Sequence, residues 1–550
     1  MYYNKKYQDF IDDNFFVIDS DNCKTIKSKL YGFVLLDNKL IAFKNNYNKH
    51  IEKKEYGTYI NIIKEDEKLI IEQDAIGSYG LFIYQKDAYF AISNSFYYLV
   101  LYLNKNKKLT INMDNIKYFM TQPLTTLSIT KTPIYEIKQI DKDMKIIIDT
   151  EANSVDFVRD KLQQHIFNID SQECFEILDK WFSKYCSFIQ SLSKNNIYFE
   201  TSLSGGRDTR LVLTLFNHLN LLPKINIRTS TGQTDREKVD FIIASHIAKQ
   251  YHFQLNNKID DTLQNKLSSE LAFLLTFFMQ LGLHKEFYFV EHYHLKPSFR
   301  FNGLGGEGLR NTWKMSPTSF INKKVNDMEA STGISRNYQD NFIRESFDYL
   351  KKITKENLGS ELYNYTWNKT HSGKANAIAM LRNQFSISPL QDPMLKLIKI
   401  NDCNYDDLLL IAVIYQRYMP TVIDIAITSE QIKQSVKEQA DLIQKKYPKN
   451  IHIDDTVMLD FGERVIPENE EPTQTPQEIL SALFNTSEVI NFSRYFINDT
   501  IYPYCTLWAN SKTMYMNYSA PNTLVAFSLL AKTLLTNEFN FNDYLCQTIN

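Results

Sequence analysis

Six of the sixteen glycines fall in two short clusters: Gly205 and Gly206 within Ser204-Gly-Gly-Arg-Asp-Thr-Arg210, and Gly303, Gly305, Gly306 and Gly308 within Asn302-Gly-Leu-Gly-Gly-Glu-Gly308. In a chain this poor in glycine, such clusters mark backbone that turns with positive φ or comes close to a ligand. Each cluster carries one carboxylate, Asp208 or Glu307. A Ser-Gly-Gly turn opening a helix directs backbone N–H groups and the positive end of the helix dipole at one spot, which suits an anion. The Ser204 hydroxyl adds a donor, and Asp208 in the first helical turn can hold a divalent cation against phosphate groups. The competing reading of this cluster is a capping turn, with Ser204 as cap and Asp208 complementing the dipole. The second cluster fits G-x-G-x-x-G literally, but no second strand ending in an acidic residue follows it, so a dinucleotide-binding βαβ unit is hard to build there.

The elements that must position these loops are legible around them. Ile197–Leu203 has the composition of a buried strand, and Leu211, Leu215 and Leu219 recur at helical spacing after the first loop. Lys224–Gly232 predicts a second strand and turn, Asp235–Gln250 a helix, and Phe299–Asn302 a strand entering the second loop. Strands alternating with helices over 195–305 imply a mostly parallel sheet, whose ligands gather at the carboxyl ends of its strands, where both clusters lie. Phe175, Leu178, Phe182, Tyr185 and Ile189 make an amphipathic helix that covers one edge of that sheet. Residues 260–295 and most of 340–450 are helical in pattern. Residues 30–100 read as successive short strands, with a sandwich the natural way to bury both apolar faces.

Ser-Leu-Ser-Gly-Gly-Arg-Asp-Thr209 resembles the Ser-Gly-Gly-x-Asp-Ser pyrophosphate loop of ATP pyrophosphatases, and the order of strand, helix and His-containing segment to Phe253 is similar to the asparagine synthetase family. Gly303-Leu-Gly-Gly-Glu307 resembles that family's Ser-Gly-(Glu/Asp)-Gly-(Ala/Ser)-Asp segment. Ile71–Tyr84 and Ala88–Ser95 look like two patterns of its glutamine amidotransferase half, Pro389-Leu-Gln-Asp392 like its Pro-Phe-Leu-Asp, and Met419-Pro420 like its Leu-Pro. The resemblance implies a multi-domain α/β protein: an N-terminal Ntn-hydrolase-like β-sandwich amidotransferase domain (1–155), an ATP pyrophosphatase domain of the adenine nucleotide α-hydrolase-like type with a parallel sheet and many helices (170–450), and a helical C-terminal extension (477–550). It implies ATP and Mg²⁺ as cofactors. Ser204, Gly205, Gly206, Asp208, Thr209, Gly303, Gly305 and Gly306 would hold the nucleotide, with Arg228 and Thr229 at the end of the strand that supports the adenine. Asp208 and Glu307 would hold the metal and count among the catalytic residues.

This chain departs from the family at informative places. Leu304 stands where the family carries a proton-handling Glu or Tyr, and leucine cannot move a proton. The position of the family's late catalytic lysine falls at Thr428, with Lys433 the nearest substitute. An N-terminal-nucleophile glutaminase needs a cysteine whose own α-amine serves as base. Position 2 is Tyr2, and the first cysteine, Cys23, lies inside the chain. The amidotransferase domain is therefore expected to be degenerate.

A chain of 550 residues is long enough for two or three domains, and 62 basic against 64 acidic residues, a formal charge of -2, give no field to attract nucleic acid. The apolar stretch Leu271–Leu283 is too short to span a bilayer, and six cysteines without CxxC spacing suit reduced thiols, so a cytoplasmic enzyme is expected. The function implied is a ligase that adenylates a small-molecule, sugar or peptide carboxylate and passes the acyl group to an amine, releasing AMP and pyrophosphate. A lasso-type peptide macrolactam cyclase and a non-catalytic nucleotide-binding scaffold remain the alternatives, and a homo-oligomer or a biosynthetic partner protein is left open. Three further features are weighed lower. Arg207 and Arg210 either grip an anion or form a solvated helix face. His292 and His294 with Glu291 offer metal ligands, against an expected packing or surface role. Ile466–Pro476 reads as a linker or surface loop.

Overall fold

The computed structural model describes chiefly residues 5–121, 127–160, 166–257, 263–310, 316–323, 336–354, 358–399, 406–475 and 520–536, apart from a few internal positions. The chain is α/β, with mixed sheets. Its first part follows the short-strand pattern of the sequence. After helix α1 (Gln8–Asn14) come β1 (Val17–Asp19), β2 (Lys29–Leu35), β3 (Lys39–Ala42), β4 (Tyr56–Glu65), β5 (Lys68–Gln73), β6 (Leu81–Lys86) and β7 (Tyr89–Ser93). Helices α2 (Phe96–Leu103) and α3 (Met113–Thr121) precede β8 (Ile137–Ile140), β9 (Met144–Asp149) and β10 (Ser154–Arg159). One antiparallel sheet has the order β1-β7-β6-β8. The other runs β10-β9-β5-β4-β2-β3 and ends on a strand from far along the chain, described below. Strand β4 is buried from Tyr56 to Ile63. Both of its faces are covered, so it reads as a continuous run rather than an alternation.

The second part is built on a parallel sheet. After the short β11 (Phe167–Asn168), the 23-residue α4 (Gln172–Lys194) starts at Ser171, whose hydroxyl accepts the Cys174 N–H. Then follow β12 (Phe199–Ser202), α5 (Asp208–His218), β13 (Asn226–Arg228) and α6 (Asp235–Gln250). Helix α6 begins at a capping box in which Thr234 and Glu237 satisfy each other's backbone N–H groups. Next come β14 (Gln264–Lys266), α7 (Ser269–Gln280), β15 (His292–His294), β16 (Ser298–Phe301), β17 (Gln384–Ile387), β18 (Ile398–Lys399) and β19 (Met458–Phe461). The parallel order β13-β12-β16-β17 reverses direction of growth between β12 and β16, which makes that crevice the topological switch point.

Alternation along these strands gives the sheet two unlike faces. Phe199, Phe299, Phe301 and Phe385 point to one side, where Phe188 of α4 and Phe216 of α5 meet them edge-on or stacked. The same core cluster extends into the N-terminal sheets, and Phe33 of β2 meets Phe385 at 5.5 Å between ring centroids. Below α4, Arg417 from the helix Leu409–Tyr418 grips Asp179 with two bonds of 2.7 and 2.6 Å.

One segment differs from the sequence reading, and three others make contacts that no local pattern carries. Among the described residues of 260–295 only α7 is helical, because β14 and β15 pair antiparallel on either side of it. Gln264-Asn-Lys266 has no apolar alternation, since that short strand is exposed or half-exposed. Strand β19 leaves the second part and adds in parallel to β3, closing an edge of the N-terminal sheet. The Pro-rich stretch after it is a surface strap tied to β14, with Asn265 donating to the Pro467 carbonyl at 2.8 Å and the Glu470 N–H to the Lys266 carbonyl at 3.0 Å. Of the extension 477–550, the helix Ala520–Thr536 packs beside α2 and α3, where Phe119 meets Phe527 and Asn104 donates to the Thr533 carbonyl. Most of the rest of that extension lies outside the described residues. No helix among the described residues is long and apolar enough to cross a membrane.

Candidate functional site

The two glycine loops leave the carboxyl ends of β12 and β16, adjacent strands at the switch point, and interlock at Asp208. A Cβ on Gly303 would lie 2.7 Å from the Asp208 carbonyl carbon and the Thr209 nitrogen, and one on Gly306 would lie 2.3 Å from Asp208 Cγ. No side chain fits at either position. Gly305 takes φ +80°, the left-handed conformation that turns the loop into a short 3-10 helix over Gly306–Leu309.

Ser204 does not cap α5. The residue before the helix, Arg207, has helical backbone and no side-chain capping bond, so the first turn presents its N–H groups without an internal acceptor from a cap. The Ser204 hydroxyl instead accepts from the Gly206 N–H at 3.2 Å and pairs with Thr209 Oγ1 at 3.2 Å, while the Thr209 hydroxyl accepts the Ser204 N–H at 3.1 Å. These bonds set the loop's shape. The Gly205 N–H donates to Asp240 Oδ1 of α6 at 3.0 Å, so one amide of the loop already holds a carboxylate of the chain itself.

Asp208 is held from one side only. Its Oδ2 accepts from Arg310 Nη2 at 2.5 Å, while its Oδ1 is buried without a hydrogen-bond partner among the described residues. Burial pushes the Asp208 carboxyl above the usual range, against the pull of the Arg310 and Arg207 guanidinium groups. Burial likewise raises Glu307, with Arg310 opposing, the Asp208 charge adding, and a hydrogen bond from the Tyr363 hydroxyl opposing. Two partly dehydrated carboxylates and one guanidinium thus share the floor between the loops. A cation fits the open Oδ1: Mg²⁺ characteristically takes one or two carboxylates and completes its shell with phosphate oxygens and water. Among the described residues no group of three His, Cys, Asp or Glu could hold a metal by itself. Asp208 and Glu307 would supply the protein's share, with phosphates the remainder.

A buried polar network supports the second loop from below. Asn302 donates to Ser386 Oγ at 2.8 Å and accepts from Ser388 Oγ at 2.7 Å and from the Leu304 N–H at 3.0 Å. Asn376 and Gln391 extend it, bonded to each other at 2.8 Å, and Gln391 packs where a Gly305 side chain would stand. Leu304 itself brings no proton acceptor to the site.

The other candidates fall as follows. Thr428, where the resemblance would put a lysine, packs on the first loop and donates its N–H to the Gly205 carbonyl at 3.2 Å. Lys433 stands at the start of the helix Gln434–Gln444 with its side chain 64% exposed and paired to Asp406 at 3.2 Å. Arg210 neither grips an anion nor faces solvent: at 1% exposure it donates to the carbonyls of Gly205, Ile425 and Ala426, fastening the loop to the 425–428 segment. Arg207 is buried too, and its carbonyl accepts the Tyr415 hydroxyl at 2.7 Å. The Arg228 guanidinium reaches Glu200 at 3.3 Å, and the Thr229 N–H donates to Asn256 at 2.9 Å. His294 is buried and its pKa is pushed down to about 4, chiefly by burial, which accords with packing rather than metal binding. Sequence reasoning missed Asp240 and Arg310. Arg310 lies one helical turn after Glu307, a spacing that could have drawn notice, whereas nothing local marks Asp240.

In the N-terminal sheets, Tyr2 lies outside the described residues. Cys23 is fully buried in a turn between β1 and β2, and burial raises its thiol pKa. Exposing it by cleavage would detach α1 and β1, and β1 pairs with β7 through Val17–Asp19. A comparison with protein-family models finds no match, and none of the curated proteins searched matches the chain.

Proposed function

We propose that the chain is an ATP-dependent, AMP-forming carboxylate–amine ligase of asparagine synthetase type, with an N-terminal Ntn-like domain that has lost glutaminase activity. The observation that carries this reading is the meeting of two glycine loops at the switch point of a parallel sheet, around an uncapped helix N-terminus and a buried Asp208 oxygen without a partner. In that arrangement the amides of the first turn of α5 would meet the phosphates, and Asp208 and Glu307 would hold a cation that supplies charge neutralisation for the departing pyrophosphate. A substrate carboxylate attacks the α-phosphate of ATP, releasing pyrophosphate, and an amine then displaces AMP from the acyl-adenylate. No residue is assigned the amine's proton, because Leu304 cannot take it and Lys433 is paired at the surface.

The test is calorimetric titration with the non-hydrolysable analogue AMPCPP and Mg²⁺, followed by pyrophosphate release from ATP with a panel of carboxylic acids. Saturable, Mg²⁺-dependent binding and acid-dependent release are expected. Leu304 and the surface-paired Lys433 favour one second reading, a non-catalytic nucleotide-binding homologue, which gives binding without release.

A further inference from the structure

The sheet face turned away from α4 and α5 carries charge where a doubly wound sheet is ordinarily apolar. Register aligns Asn226, Glu200, Arg300 and Ser386 in one row across the four strands, and Ser202 with Arg228 in the next. Glu200 is only 3% exposed, yet it is fully engaged. Its Oε2 accepts from Tyr198 and Asn226, each at 3.0 Å, and its Oε1 accepts from Arg228 Nη1 at 3.3 Å and lies 3.9 Å from Arg300 Nε. Arg300 also donates to Ser202 Oγ at 3.2 Å. A third guanidinium, Arg382, lies within electrostatic reach of both, as Glu291 does of Arg382. His294 faces the same group and is neutral near pH 7. Three guanidiniums therefore stand against two carboxylates.

Stability does not explain such a row. A buried carboxylate with its cations is commonly no more stabilising than apolar residues of the same size, which the middle of a parallel sheet would readily accept. The guanidiniums are also not used up: the side chains of Arg228 and Arg300 are 55% and 39% exposed. Each guanidinium has five N–H donors, and among the described residues one on Arg228 and one on Arg300 is bonded. The free edges of two such forks, held over one buried carboxylate, suit bidentate capture of a planar or tetrahedral oxyanion. Position links them to the glycine loops, because Arg228 is in register with Ser202, roughly 7 Å along the strand from Ser204.

We propose that Arg228 and Arg300, positioned by Glu200, bind a carboxylate or phosphate group of the acid substrate other than the carboxylate that reacts, so that the substrate is an acid with a second anionic group. This rests on the ligase reading and assigns Arg228 to the acid substrate rather than to the nucleotide.

The test titrates the full-length chain, at low ionic strength, with malonate, with inorganic phosphate and, separately, with AMPCPP–Mg²⁺. Saturable binding of malonate or phosphate is expected, weakened at least tenfold by Arg300→Gln and by Arg300→Lys, which keeps the charge and loses the fork. Arg300→Gln should keep its AMPCPP affinity within twofold. The probe that binds tighter says whether the second group is a carboxylate or a phosphate. Should Arg300→Gln not fold, Arg228→Gln, at the exposed strand end, must show the same tenfold loss. No saturable binding of either probe, binding indifferent to both arginines, or joint loss of AMPCPP and probe in Arg300→Gln would each overturn the proposal. Probe binding that depends on Arg300 in a chain that never binds AMPCPP would keep the anion site and remove the ligase.

Discussion

Two aspartates in glycine-containing turns, the buried Asp74 and the half-buried Asp208, show how differently this chain treats the same residue. Asp74 follows β5 and is completely satisfied: it accepts from the N–H groups of Tyr59, Ile76, Gly77 and Ser78 and from the Ser78 hydroxyl, at 2.9 to 3.3 Å. Asp208 has Arg310 on one oxygen and, among the described residues, nothing on the other. Burial raises the pKa of both, so electrostatics alone does not separate them. Hydrogen-bond completeness does. A carboxylate enclosed by its own turn fixes that turn, whereas one left half-partnered between two loops is arranged for something that arrives later. By this measure the turn after β5 is complete in itself, and the meeting of the two glycine loops on the parallel sheet is not.

The contrast breaks most sharply by substitution. Asp208→Asn should lower Mg²⁺-dependent AMPCPP affinity at least ~100-fold while leaving the melting temperature equal or higher, because it removes a cation ligand and a buried charge together. Calorimetry and thermal unfolding on the same sample check both halves; a large loss of stability would make Asp208 a second Asp74. Conversely, Asp74→Ala strands several buried N–H donors and should cost about 3 kcal/mol or more in unfolding free energy. Its folded fraction should bind AMPCPP as the parent does, which denaturant titration and calorimetry together decide.

Acidity sharpens the same comparison. Because Asp208 and Glu307 have raised pKa values in the folded chain, they bind protons more tightly there than when unfolded. Their contribution favours the fold in acid and is lost as pH rises through the folded values. Cation binding needs the ionised forms. Mg²⁺-dependent affinity should therefore decline on acidification earlier than ordinary exposed carboxylates would dictate, and the decline should shrink in the Asp208→Asn background to the part that Glu307 contributes. An unchanged profile would show that these carboxylates do not bind the cation. The smallest effect is expected at Lys433, whose exposed pair with Asp406 is worth at most about 1 kcal/mol. Lys433→Ala should change pyrophosphate release less than about twofold. Abolished release with intact AMPCPP binding would mean that this segment closes over the site during the reaction.

Much of the scaffold was legible because its signals are local. Asp235–Gln250 is a helix as its sequence predicts, bounded by the Thr234 and Glu237 capping box. The strands before both loops stand within a residue or two of their expected places, since apolar runs flanked by glycine are short-range information. The helix-capping role weighed for Ser204 did not materialise, because Thr209 and the Gly206 N–H occupy its hydroxyl. The reading of 260–295 as helical failed where β14 is polar and pairs only with a distant partner.

The sequence by itself determined where the backbone could turn tightly, which segments alternate and which carboxylates lie in glycine loops, because those depend on residues a few positions apart. Only the tertiary structure decided that Arg310 meets Asp208, that Asp240 takes the Gly205 amide, that β19 joins β3, and that Glu200 stands between Arg228 and Arg300. Each of these pairings follows from strand order, register or helix docking. A one-residue slip in register would turn every strand side chain to the opposite face, and no local pattern of residues specifies which distant strand lies alongside.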